Sequence, residues 1–250
     1  MSEKRPLVLS IAGYDPTGGA GVLADIKTLE QFGVQGMAVL TAHTLQTADT
    51  FLDIAWLPAA TVTKAIKTLM TAYPFPVVKI GIVPDSEFLA AVLQTVRACN
   101  PAAFVIWDPV IRSSSGFPFF REKSLEALAP LLRDIALITP NYPEYEILQQ
   151  YSLPDPEDME CCAVLLKGGH CADWTGTDIL MESGETTVFP PGTEVSYPKH
   201  GSGCILSAAI AGGIARGASL QEAIRAGKTY VEKVLNSNSS LLGYHHAYED

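Results

Sequence analysis

Short apolar runs of β-forming residues alternate with longer stretches of helical periodicity along the chain, and this alternation narrows the possible folds more than any other feature. The runs cover 7–12, 36–41, 77–81, 104–108, 135–139 and 164–167. Between them, 22–32, 60–73, 86–98 and 124–132 read as helices, and 202–216 and 219–236 close the chain. Val22, Ile26, Leu29 and Phe32 recur at helical spacing, with Gly33 placed to stop the helix. Val62, Ile66 and Leu69 form a second such face, ended by Pro74 and Pro76, and Ser86 is expected to cap the third helix. Segments 178–181 and 186–189 predict a hairpin turning at Ser183-Gly184. Strands that are apolar throughout need cover on both faces, so the pattern predicts a mainly parallel sheet between two helical layers. With 250 residues, 48% of them hydrophobic, one core suffices. No repeat, low-complexity tract or linker divides residues 1–250, so a single domain is expected.

Charge and cysteine content exclude several classes. A net charge of −10 makes a general nucleic-acid binder a poor fit. An anionic ligand must then be held locally, by oriented N–H groups or by a few Lys and Arg. No apolar run approaches the ~20 residues that span a bilayer, so no membrane association is expected. Segment 7–13 is too short for the apolar part of a signal peptide and reads as a strand. Five cysteines without framework spacing imply reduced thiols and a cytoplasmic protein. Cys161-Cys162 and Cys171 do not match a metal-finger spacing.

Polar residues cluster just after the strands: Asp15, Gln46, Asp108, Asn141 with Glu144, and Lys167. Ligands of open α/β sheets bind beyond the carboxyl ends of strands, so this coincidence points to a site. Gly201-Ser202-Gly203-Cys204 leads directly into an Ala-rich helical run. Glycines let backbone N–H groups approach a ligand, and a helix N-terminus favours negative charge. Such a helix start would also lower the thiol pKa of Cys204, making it a proton acceptor at neutral pH. The segment equally suits a glycine turn followed by a small buried residue. Asp108 and Glu144 suit Mg²⁺ and phosphate chemistry, or simply the capping of loops. Lys167 can neutralise a phosphate or pair with a neighbouring acid. Asp15 and Asp25 can contact a polar substrate, though Asp15 also suits a turn with a helix cap. The glycines of 13–21 lack the spacing of a dinucleotide fingerprint.

Seven stretches in order resemble the hydroxymethylpyrimidine and phosphomethylpyrimidine kinases of thiamin synthesis, within the ribokinase-like superfamily that also holds pyridoxal kinases. They are IAGYDPTGGAGVLADIKT from Ile11, GVQGMAVLTAHTLQ from Gly33, Lys79-Ile80-Gly81, Asp108-Pro109-Val110 with Ser115-Gly116, TPNYPE from Thr139, KGGH from Lys167, and HGSGCILSAAI from His200. The resemblance implies a ribokinase-like three-layer α/β sandwich and ATP-dependent phosphorylation with Mg²⁺. It implies that Gly201, Ser202 and Gly203 form an anion hole with Cys204 as proton acceptor. Asp25 and Gln46 would hold the pyrimidine, with Gly13, Ala20, Ile82 and Val110 lining its pocket. Asn141, Lys167 and Lys228 would serve the nucleotide, and Asp108 and Glu144 the metal. A pyridoxal kinase and a non-catalytic pyrimidine-binding domain are the alternatives. The chain departs from the family at Tyr14, expected at the pocket edge, at Ile82 in place of a frequent Met, and at Ser202 in place of Thr. The segment 148–161, with Pro154 and Pro156, looks shorter by about a helix. Sheet surface bared there would suit a homodimer.

Overall fold

Alternate residues of the first strand point to opposite cores, which sets the architecture. The computed structural model describes residues 4–113, 116–153, 162–170, 175–194 and 197–245. Its strands are β1 (Leu7–Tyr14), β2 (Gln35–Gln46), β3 (Phe51–Trp56), β4 (Val77–Ile80), β5 (Phe104–Trp107), β6 (Leu137–Ile138), β7 (Ala163–Leu166), β8 (Asp178–Glu182) and β9 (Glu185–Phe189). Its helices are α1 (Gly21–Gln31), α2 (Ala59–Ala72), α3 (Ser86–Cys99), α4 (Tyr142–Tyr151), α5 (Ser202–Ala215) and α6 (Leu220–Leu235). Leu7, Leu9 and Ile11 pack with Ile66 of α2 and Leu89 and Val92 of α3. Val8 faces the other way, toward Ala24 and Leu29 of α1, Ile210 of α5 and Ile224 of α6. Period-two side-chain alternation thus serves both helical layers from one apolar strand.

The nine strands lie in the order β3-β2-β1-β4-β5-β6-β7-β8-β9. Neighbours from β2 to β7 are parallel, whereas β3 pairs antiparallel with β2, β8 with β7, and β9 with β8. The expected mainly parallel, doubly covered sheet is present. The hairpin turn falls at Ser183 and Gly184, whose φ values of 52° and 77° suit a tight two-residue connection.

Four local readings are corrected. Strand β3 was not expected; it is half-exposed, and its weak alternation hid it. The helix expected at 124–132 is instead two short 3₁₀ turns, Glu122–Ala127 and Ala129–Asp134, with Pro130 opening the second. Asp85, not Ser86, caps α3, its carboxylate accepting from the Phe88 N–H at 2.8 Å. Asn141 and Glu144 form a reciprocal capping box on α4, a helix the sequence reading passed over. Residues 154–161, including Pro154, Pro156 and most of the shortened segment, lie outside the described residues, as do Ser115 and Cys171. Among the described residues no helix is long and apolar enough to cross a membrane.

Candidate active site

The chain leaves β1 for β2 on one side and later returns to β4 on the other. The crossovers diverge there, opening a crevice at the carboxyl ends of the strands. A cleft of about 930 Å³, its open mouth included, occupies this position. Gly13 from β1, Gln46 from β2, Ile82 after β4, Asp108 and Val110 after β5, Lys167 after β7 and Gly201 to Cys204 all line it, as does Ala20. Eleven residues expected at the site from sequence are therefore brought together. Thr44, Arg112, Ser113, Phe119, Lys199 and His200 also line it. His200 was legible as the first residue of HGSGC; Phe119 carried no sequence signal, arriving through ring contacts with Phe51 and Phe117.

Two distant loops meet at the rim. The Asp15 carboxylate accepts from the Thr17 N–H and hydroxyl and from the Ala20 N–H, and lies 3.0 Å from His200 Nε2. Burial opposes its charge, but these hydrogen bonds outweigh burial and hold the carboxyl below its ordinary range. With both oxygens engaged, Asp15 organises the loop. Gly201, next to His200, has φ +77°, and a Cβ there would stand 2.0 Å from the Gly19 carbonyl oxygen. Only glycine fits both the left-handed backbone and the close approach.

Gly201 leaves α5 without a capping side chain, so the helix presents its first turn to the cleft. A Cβ on Gly203 would lie 3.0 Å from Lys167 Nζ and 3.8 Å from Asp108 Oδ2. The space between helix start and ammonium is thus a cradle that a single methyl would fill, and it suits a phosphate. Lys167 donates to Asp108 at 2.8 Å, and Thr139 Oγ1 donates to the same oxygen at 3.0 Å. Burial works against both charges. Lys167 and Lys79 nonetheless hold the Asp108 carboxyl low, and Asp108 and Glu144 hold the Lys167 ammonium high.

Cys204 faces the cleft but is not the activated thiolate expected from its place on the helix. Burial pushes its thiol up to about 11. Lys79 pulls it down, Asp108 and Asp25 push it further up, and the Gly21 N–H helps lower it. Desolvation wins over the helix start.

Five expected residues do not line the cleft. Asp25 is fully buried against Lys79 and Ser10. Asn141 and Glu144 are spent on the α4 cap. Burial, countered by Lys167 and reinforced by Asp108, moves the Glu144 carboxyl up to about 7. Lys228 donates to Asp178 and to the Gly176 carbonyl, and Asp178 in turn accepts from the Gly168 N–H. Lys228 therefore braces the turn after Lys167. Tyr14 packs against the His43 ring instead of lining the cleft. Of the two carboxylates expected near the metal, Asp108 is engaged by Lys167 and Thr139, and Glu144 by helix capping. Among the described residues no cluster of three or more His, Cys, Asp or Glu could hold a metal.

Comparison with known proteins agrees with this geometry. The phosphomethylpyrimidine kinase family matches residues 15–248. A hydroxymethylpyrimidine/phosphomethylpyrimidine kinase of Aquifex aeolicus is 33% identical over 246 residues, covering 94% of this chain and 96% of that protein. The crystal structure of a phosphomethylpyrimidine kinase from Clostridium difficile superposes with a TM-score of 0.74 at 31% identity, covering 91% of this chain and 98% of the other. A Staphylococcus aureus pyridoxal kinase in complex with ADP gives a TM-score of 0.80 at 27% identity, over 94% of this chain and 89% of the other. The cleft at the sheet's switch point, its glycine-started helix and these likenesses agree: the chain is a kinase with the ribokinase-like fold and belongs to the phosphomethylpyrimidine kinase family.

Proposed function

We propose that this kinase moves the γ-phosphoryl group of ATP to the hydroxymethyl oxygen of 4-amino-5-hydroxymethyl-2-methylpyrimidine, and then to the monophosphate so formed, in thiamin biosynthesis. The observation that carries the reading is the convergence of the α5 start, Lys167 and Cys204 on one cleft. The first-turn N–H groups of α5 and the Lys167 ammonium hold the phosphates and offset charge on the moving group. Gln46 orients the ring, against Gly13, Ala20, Ile82 and Val110. The alcohol oxygen bonds to the γ-phosphorus as the bridging P–O bond breaks and ADP leaves. The alcohol proton passes to Cys204 in its thiolate form. A phosphate nucleophile has no such proton to give up, so Cys204 matters less in the second step. Mg²⁺ is proposed as the nucleotide's companion, carried by phosphate oxygens and water, since the carboxylates nearby are otherwise engaged.

The fold's likeness to pyridoxal kinase favours a second reading, phosphorylation of pyridoxal. ADP release with the pyrimidine alcohol, its monophosphate and pyridoxal side by side separates the two. Turnover of both pyrimidines is expected. Cys204→Ala should lose the alcohol step by roughly 10²–10⁴-fold and keep most of the monophosphate step. Turnover of pyridoxal alone would replace the pyrimidine reading, and turnover of none would favour a non-catalytic binding domain. A cytoplasmic setting is supported by the free thiols Cys99, Cys162 and Cys204. A homodimer is supported by the edge strand β3, where Leu52 and nearby Leu45 are each 60% exposed.

A further inference from the structure

A buried ion pair lies beneath the cleft floor, and the proposed phosphoryl transfer does not use it. Ser10 of β1 and Lys79 of β4 are register partners, and Asp25 of α1 descends onto both. Lys79 Nζ donates to both Asp25 oxygens at 2.9 Å, and Ser10 Oγ donates to Asp25 Oδ2 at 2.6 Å. All three residues are at most 1% exposed. Taking two charges out of water is costly, and an apolar pair of similar volume would serve stability as well. The pair's position suggests another use. A Cβ on Gly81 would stand 3.5 Å from Lys79 Nζ, and Gly81 lines the cleft. The ammonium therefore lies one atomic layer below the surface that faces substrate.

Resting on the reading of Cys204 as proton acceptor, we propose that Lys79, pinned by Asp25 and Ser10, is a positioning residue whose ammonium lets the Cys204 sulfur bear negative charge while the alcohol proton moves. The charged groups that act on that sulfur come from Lys79 on β4, Asp25 on α1, Asp108 after β5 and Lys167 after β7. Burial opposes a thiolate most strongly. Lys79 is the chief charge acting in its favour, while Asp108 and Asp25 act against it. Both Asp25 oxygens contact Lys79, which keeps the ammonium charged within the sheet.

Lys79→Met removes the charge at nearly constant volume. Iodoacetamide labelling of Cys204, followed on its own peptide at pH 8, is expected to slow several-fold, because thiolate is the reactive form. Turnover of the pyrimidine alcohol should fall about tenfold or more while that of the monophosphate stays within about twofold. A purely structural role would lower both steps together, and that result overturns the proposal. Asp25→Asn combined with Lys79→Met leaves no lone buried charge and guards against misfolding. Its labelling should slow in the same direction, and labelling at the wild-type rate would overturn the proposal. The labelling arm needs no substrate. Slowed labelling in a protein that turns over neither pyrimidine would place the failure in the proposed reaction, and with it the proton-transfer role of Lys79.

Discussion

Cys204 carries the sharpest consequence at the scale of single residues. Its thiol stands at about 11, so at neutral pH only a small fraction is ionised. That fraction is a stronger base than an ordinary thiolate, which partly offsets its rarity. Raising pH deprotonates the sulfur, so the rate of the alcohol step should climb about tenfold per unit between pH 7 and 9 without levelling. The monophosphate step should stay nearly flat over the same range. Rate–pH profiles for the two substrates check this, and a plateau of the alcohol step near pH 7 would mean that the sulfur is already ionised. The sequence put Asp25, Asp108 and Lys167 at one site with Cys204, but it gave Lys79 no role and did not show how deep each lies. A helix start argued for a low thiol pKa; burial reversed the sign. Asp25 looked like a substrate contact for the same reason, since a carboxylate beside a glycine-rich loop gives no sign of full enclosure.

At the scale of elements, the start of α5 separates two uses of glycine. Gly201→Ala forces a Cβ into the left-handed region and onto the Gly19 carbonyl. It should cost about 1–3 kcal/mol or more of stability, read by urea unfolding. Gly203→Ala meets only the tip of Lys167, a side chain that can yield, so the melting temperature should hardly move. Its methyl occupies the phosphate cradle, and the KM for ATP should rise tenfold or more. Equal effects of the two substitutions on stability would undo this division. Helix α2 was legible because burial on one face wrote a helical period into it, and β1 and α5 because burial on both sides left unbroken apolar runs of strand and helix length. Strand β3 and helix α4 were not. Half-exposed Phe51–Trp56 has little pattern to read, and the capping box of α4 was attributed to ligand chemistry.

At the scale of the whole molecule, the layered fold followed from the order of runs and helices, and the placement of polar residues after strands located the cleft. The outer antiparallel strand β3 escaped, and with it the edge on which the proposed homodimer rests. Glutamates at Leu45 and Leu52 should convert a wild-type dimer to monomer in sedimentation, with the fold retained. A wild-type protein already monomeric at micromolar concentration would remove the homodimer. The packing of α5 against α1, β1, β4 and β5 has a consequence for synthesis. The strand made first has one side covered only in part, by α1, until α5 leaves the ribosome. No nascent fragment that stops short of α5 has the Gly201–Gly19 junction, so none should be active, and the part left uncovered is what a chaperone would meet.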